Sequence, residues 1–164
     1  MSGARAGRCG RPLAVLLLAF VIQNTEEAVF LPFWAMAHLP ALAGSLGDLT
    51  ISQFALAAGL LNLFAIAVGI FGWRQGGPLG VAVLALIGGA LLANALSHVA
   101  VSLATGSVMP GAVSGLVLQG PAALWLLLCL PLTRAQAVGA TALGLAVVPA
   151  FSLPALALAR FMLN

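Results

Sequence analysis

Long apolar stretches, separated by short segments that contain glycine, proline or polar residues, fill almost the whole chain. A helix needs about 20 mainly apolar residues to cross a hydrocarbon core of about 30 Å, and five stretches meet this requirement. They lie near residues 12–36, 51–73, 79–104, 111–132 and 137–160. Because the connections are short, consecutive helices should be antiparallel neighbours in one bundle. The pattern predicts an all-α fold, a polytopic membrane bundle of about five transmembrane helices in a single domain over residues 12–164.

The composition agrees with this fold class and excludes a soluble domain. Hydrophobic residues make up 63% of the 164 residues and charged residues only 5%, whereas soluble domains carry roughly 25% charged residues. The chain has no basic stripe with interleaved aromatic residues, so a nucleic-acid partner is not expected. The expected partner is the lipid bilayer of the cell (plasma) membrane, and a homo-oligomer remains open.

The arginines are distributed unevenly between the two ends of the predicted helices. One end would carry Arg5, Arg8, Arg11, Arg74 and Arg134, and the other only Arg160. Basic residues in short loops are retained on the cytoplasmic side, which predicts a cytoplasmic N-terminal tail over residues 1–11. Cys9 and Cys129 would lie on the same reducing side, so free thiols are expected rather than a disulfide.

The most unusual polar feature is the tandem pair Glu26-Glu27 inside the first apolar stretch. Only three acidic residues occur in the chain, and an acidic side chain at bilayer depth costs about 2.5 to 3.5 kcal/mol. Ionisable residues at such depth usually mark a functional site. Gln23 lies on the same helix face, because positions i, i+3 and i+4 face one way. These three side chains are therefore expected to point into the bundle together.

Polar side chains that are costly to bury also occur in the other predicted spans: Asn62 in the second, Asn94 and His98 in the third, and Gln119 in the fourth. At about 1.5 Å per residue, the acidic pair and His98 lie in the outer half of the bilayer. Asn62 lies nearer the middle, and Gln119 approaches from the outer end of its helix. These depths predict one convergent polar pocket that opens outward. For the three amides, hydrogen bonding between helices is the simpler alternative to binding a substrate.

These residues suggest two kinds of chemistry. Two adjacent carboxyls in a low-dielectric site cannot both ionise without a large penalty, so at least one should hold a proton near neutral pH. Glu26, Glu27 and His98 are therefore the candidate catalytic acid and base. The same groups could instead bind a divalent metal, for which Gln23 would be a poor further ligand. The candidate substrate-binding residues are Asn62, Asn94 and Gln119.

The leading functional prediction is an integral membrane protein that performs acid/base or metal-assisted chemistry on a lipid-like or isoprenoid substrate. One alternative is a proton- or cation-coupled transporter or channel, in which the carboxyl pair relays protons or binds a cation. Another is a structural membrane subunit, in which the polar cluster holds the helices together.

Two segments of the chain resemble a known family. The segment QNTEE from Gln23 to Glu27, followed by LPFW at residues 31–34, resembles the signature of the HXXEE-domain proteins, small bacterial polytopic membrane proteins. The stretch from Asn94 to His98, with Pro-Gly at residues 110–111, is similar to a second region of that family. The resemblance covers roughly residues 12–132 and implies a membrane bundle without defining a reaction.

The resemblance carries over Glu26, Glu27, Asn94 and His98 as matching positions. It departs at the first position of the motif, where Gln23 stands in place of histidine. If that histidine is a metal ligand or a proton carrier in the family, this chain is expected to be altered in the same chemistry.

Overall fold

The computed structural model describes residues 3–39 and 50–163, and over these residues the protein is helical with no strand. The helices are α1 (Gly3–His38), α2 (Ile51–Gln75), α3 (Gly77–Thr105), α4 (Ala112–Cys129) and α5 (Arg134–Leu163). Each contains a segment long and apolar enough to cross a membrane. The predicted all-α fold with five candidate spans is confirmed. The predicted connection at residues 40–48 lies outside the described residues, and α1 extends through most of the predicted tail.

Local sequence signals explain where the helices begin and end. Thr50 and Gln53 form a capping box at the start of α2, which satisfies two backbone groups that have no partner inside the helix. Gly76 ends α2 with a φ of 58°, and Gly106 ends α3 with a φ of 64°. Only glycine adopts these left-handed conformations without strain. The short connections bring α1 and α2, α2 and α3, and α3 and α4 into contact, as predicted. The last consecutive pair differs from the prediction, because α5 packs against α2 and α3 instead of α4.

Helix α4 is irregular in its first half. A single α-turn, Ala112–Ser114, leads into a π-helical segment, Gly115–Gln119, before an α-helix resumes at Gly120. The N–H of Gly120 bonds to the carbonyl of Gly115. Pro121 follows and has no N–H with which to make the normal bond four residues back. Such π-helical insertions are often found at functional sites.

Helix α3 lies at the centre of the bundle and contacts the other four helices. Its crossing with α5 is close, because a Cβ atom added at Gly144 would lie 2.5 Å from the Cα atom of Ala90. Buried aliphatic and aromatic side chains of α1, α3 and α4 form the main core. Helix α5 leaves most of its residues exposed, and α2 buries only five of its 25 residues, as expected for helices that face lipid.

The two cysteines overturn the expectation of free thiols. The beginning of α1 lies beside the end of α4, with the Cα atoms of Cys9 and Cys129 5.8 Å apart, and the two residues form a disulfide. The pairing depends on which helix ends become neighbours, and 120 residues separate the cysteines in sequence. Helical periodicity alone does not determine that neighbour relation.

Candidate functional site

The centre of the polar site is a contact between α1 and α3. Glu27 Oε1 lies 3.3 Å from His98 Nε2. The other ring nitrogen, His98 Nδ1, is 2.9 Å from the carbonyl oxygen of Pro110. Only 4% of His98 is exposed, so solvent does not compete for either nitrogen. The Pro-Gly turn before α4 thus fixes the orientation of the imidazole towards Glu27.

This hydrogen bonding limits how many protons the pair can hold. A carbonyl oxygen can only accept, so His98 Nδ1 must be the protonated nitrogen that donates to Pro110. If one proton lies between His98 Nε2 and Glu27 Oε1, these two atoms form a hydrogen bond. Without that proton, two acceptors would face each other. The proton can reside on either atom, as imidazolium with carboxylate or as imidazole with carboxylic acid. In both forms the Glu27–His98 pair is neutral overall.

Gln23 supports Glu27 from one turn earlier on α1. Its Nε2 atom donates to Glu27 Oε1 over 3.0 Å, and the residue is fully buried. Its Oε1 atom has no hydrogen-bond partner and lies against α4, where a Cβ atom added at Gly115 would be 3.3 Å away. Gln23 thus orients the carboxyl of Glu27 without itself being a group that transfers protons.

The two acidic residues have different partners. Glu26 Oε2 accepts a hydrogen bond from Ser114 Oγ over 2.6 Å, at the single α-turn that opens α4. Glu27 faces α3, as described above. Glu26 and Glu27 therefore make separate contacts. Glu26 links α1 to α4, and Glu27 pairs with His98.

Beside the Glu27–His98 pair lies a cavity of about 350 Å³ between α1, α2, α3 and α5. Its polar lining residues are Asn24, Glu27, Asn94, His98 and Ser152, and the remaining lining is aliphatic or aromatic. The described residues that line it include no arginine or lysine. The cavity therefore has the character of a site for an apolar molecule with a polar end.

Two phenylalanines form part of the cavity wall between α2 and α5. The rings of Phe64 and Phe151 stack with centroids 4.7 Å apart, and both residues line the cavity. They are also 47% and 45% exposed. Pro149 and Pro154 flank Phe151 in α5, and each removes a backbone hydrogen bond from the helix. The α5 part of this wall therefore belongs to a helix with fewer backbone hydrogen bonds.

The predicted substrate-binding amides occupy different places. Asn94 lines the cavity beside His98. Asn62 accepts a hydrogen bond of 2.7 Å from Asn24 Nδ2, which ties α2 to α1. Gln119 Nε2 donates to the carbonyl of Leu91 over 2.7 Å, which ties the π-helical segment to α3. Neither Asn62 nor Gln119 is part of the cavity lining, so their observed contacts are those of helix-joining residues.

The metal hypothesis needs more ligands than this arrangement provides. Within residues 3–39 and 50–163, no group of three or more His, Cys, Asp or Glu side chains is placed to hold a metal ion. Glu27 and His98 supply two donor atoms. The third side chain that converges on them, Gln23, presents its Nε2 donor to the carboxyl group.

Sequence reasoning missed several residues of the site. Asn24 lies outside the i, i+3, i+4 pattern of Gln23, Glu26 and Glu27, yet it is buried and lines the cavity. Ser114 carries no motif that marks it as a partner of Glu26. The carbonyl of Pro110 contributes backbone chemistry, for which the only signal was the Pro-Gly pair itself. Phe64 and Phe151 are ordinary apolar residues in sequence, and only the packing of α2 against α5 brings them together.

The fold and site define a class of protein: an all-helical protein with five candidate membrane-spanning helices, as in a multi-pass membrane protein, and a polar pair beside an apolar cavity. Residues 14–126 match a family model described as "Protein of unknown function with HXXEE motif". The match covers more than half of the chain, so the protein belongs to the HXXEE family. No curated protein and no solved structure matches it.

Proposed function

We propose that the protein binds a lipid-like molecule with an uncharged, oxygen-bearing end, and that the Glu27–His98 pair exchanges a proton with that end. The observation that carries this proposal is the position of the Glu27–His98 pair in the wall of a largely apolar cavity. The cavity volume of about 350 Å³ falls within the range of about 300 to 1,000 Å³ typical of small-molecule sites.

The charge of the lining favours a neutral end group over a phosphate or diphosphate. The described lining residues include no arginine or lysine, and the one imidazole, His98, is paired with Glu27. An anion buried without a counter-charge is strongly disfavoured. A hydroxyl or carbonyl oxygen can instead hydrogen-bond to Asn94 and to the Glu27–His98 pair. Isoprenoid or fatty alcohols, aldehydes and ketones have this chemistry.

The pair can act as an acid or as a base. In the acid direction, the bridging proton moves to the oxygen of the ligand and leaves Glu27 and His98 with one negative charge. In the base direction, the pair in its deprotonated state removes a proton from the ligand and becomes neutral again. Gln23 positions Glu27, and the carbonyl of Pro110 keeps His98 Nδ1 protonated, so the reactive atoms are Glu27 Oε1 and His98 Nε2.

Photoreactive probes test the proposed ligand class. A long-chain alcohol, a fatty acid and an alkyl phosphate with the same photoreactive chain are applied to detergent-purified protein, and labelled peptides are mapped by mass spectrometry. We expect the alcohol to label the cavity most strongly. Ala65→Phe, which fills the cavity, should abolish this labelling, whereas Ala67→Phe, on the exposed side of the same helix, should not. Equal labelling by all three probes, or no effect of Ala65→Phe, would overturn the proposal.

The transport alternative is favoured by the same one-proton pair, since a buried carboxyl–imidazole contact can relay protons. It predicts a proton flux in proteoliposomes that Glu27→Gln abolishes and Glu26→Gln preserves. The acid/base proposal predicts no such flux. The structural alternative predicts that Glu27→Gln unfolds the protein, which a thermal unfolding measurement on the same samples would detect.

The proposal includes a cytoplasmic N-terminus and residence in the plasma membrane. It is supported by the exposed arginines Arg11, Arg74 and Arg134 at one end of the bundle, following the positive-inside rule. The Cys9–Cys129 disulfide lies at that end and opposes it, because cytoplasmic thiols are kept reduced. Reporter fusions to the C-terminus test the orientation. If the N-terminus is cytoplasmic, a reporter active only in the periplasm should be active there and a reporter active only in the cytoplasm should be inactive. The reverse result would place the N-terminus and the disulfide outside the cytoplasm.

A further inference from the structure

A second concave surface lies between α3, α4 and α5, separate from the Glu27–His98 cavity. This α3–α5 groove has a volume of about 490 Å³. Aliphatic side chains cover most of its length, including Leu92, Leu96, Leu128, Val138 and Leu145. Several of them are exposed on the outside of the bundle. The groove therefore offers a long apolar surface to the surrounding membrane.

One end of the groove is basic. Thr133 and Arg134 line that end, at the beginning of α5, and both are exposed. Arg134 makes no ion pair with any described residue. The two acidic residues among the described ranges, Glu26 and Glu27, are engaged with Ser114 and with His98. The positive charge at the end of the groove thus has no counter-charge among the described side chains.

We propose that the α3–α5 groove binds an anionic phospholipid. The phosphate group would pair with Arg134, whose guanidinium matches phosphate geometry, and an acyl chain would follow the leucine side chains towards Leu96. The apolar side chains along the groove match the acyl chain of such a lipid, and the single unpaired cation at the end of the groove matches its phosphate. Basic pockets between membrane helices bind anionic lipid head groups in this manner. This site is independent of the cavity ligand proposed above.

The contribution of the Arg134 charge to lipid affinity should be modest but measurable. One Lys or Arg near a membrane surface contributes about 1 kcal/mol to the attraction of anionic lipid, which corresponds to about a fivefold change in affinity. Arg134→Gln should therefore weaken binding about fivefold. Arg74→Gln is the matched control, because Arg74 is exposed at the same end of the bundle and lies outside the groove.

Native mass spectrometry of the detergent-purified full-length protein tests the proposal. Phosphatidylglycerol and phosphatidylcholine with identical acyl chains are titrated into the wild type, Arg134→Gln and Arg74→Gln. We expect phosphatidylglycerol to bind more tightly than phosphatidylcholine, with the preference reduced only in Arg134→Gln. Ala142→Phe, within the groove, should reduce binding of both lipids, whereas Ala146→Phe, one turn further on α5, should not. Equal binding of the two lipids, or equal effects of the two arginine variants, would overturn it.

Discussion

Gly111 is the position where a single methyl group should disturb the polar site most directly. Its φ of 84° lies in the left-handed region, which side-chain-bearing residues rarely adopt. A Cβ atom added there would lie 3.0 Å from both Gln23 Cγ and Glu27 Oε1. Gly111→Ala therefore combines backbone strain with a collision against the residues that orient the carboxyl group.

The two contributions can be estimated separately. The left-handed conformation costs a non-glycine residue about 1 to 2 kcal/mol, and overpacking a well-filled site costs about 1 to 3 kcal/mol. We expect Gly111→Ala to lower the free energy of unfolding by about 2 to 5 kcal/mol. Gly106→Ala is the matched control, because Gly106 has a φ of 64° but nothing within 4 Å of the added Cβ atom. Gly106→Ala should lower the free energy of unfolding only by the cost of the left-handed backbone conformation, about 1 to 2 kcal/mol.

Reversible unfolding of detergent-solubilised protein, followed by circular dichroism, measures both losses. A double-mutant cycle with Glu27→Ala separates the collision from the strain. In the Glu27→Ala background, two of the three close contacts of the added methyl group are gone, so the extra loss at Gly111 should approach that of Gly106→Ala. Equal losses for the two glycines in the wild-type background would refute the close packing of the turn against Glu27.

Three other perturbations test separate parts of the structure. Asn62→Leu should cost about 1 to 2 kcal/mol of unfolding free energy because it leaves the buried amide of Asn24 unpaired, and adding Asn24→Leu should restore most of it; an additive loss would contradict the paired contact. Phe151→Ala should speed labelling of the cavity by the photoreactive alcohol, because it removes a ring from the cavity wall between α2 and α5; Leu153→Ala, exposed on the same helix, should leave the rate unchanged, and equal rates for the two variants would show that the ligand does not enter past Phe151. Cys9→Ser should lower the unfolding free energy by about 2 to 4 kcal/mol, and reductant should have this effect on the wild type alone; no effect of reductant would contradict the disulfide.

The helices were predictable because hydropathy is a local property. The bounds of the predicted spans agree with the helices to within three residues, except that α1 begins nine residues before the first predicted span. There the helix continues beyond the apolar stretch. Turn glycines such as Gly106 end helices for reasons visible in sequence. Neighbour relations were harder to predict. The Cys9–Cys129 pairing and the contact between Ser114 and Glu26 both depend on where α4 lies.

Spacing of small residues gave an incomplete guide to packing. Gly111 and Gly115, four residues apart, both lie close to other helices: an added Cβ atom would approach Gln23 and Glu27 at Gly111, and Gln23 and Ala95 at Gly115. Gly59, from a pair with the same spacing on α2, has nothing within 4 Å of an added Cβ atom. The same four-residue spacing occurs on contacting and lipid-facing sides, so it cannot by itself identify the interface. The roles of the candidate site residues stay predictions.

The shared proton between Glu27 and His98 is the central claim, and nitrogen-15 nuclear magnetic resonance of histidine-labelled protein tests it most directly. The chain has only two histidines, so His38→Asn leaves the signal of His98 alone. We expect a protonated Nδ1 and an Nε2 signal that changes strongly in Glu27→Gln but hardly in Glu26→Gln. An Nε2 signal that responds equally to both variants, or to neither, would contradict the one-proton pair.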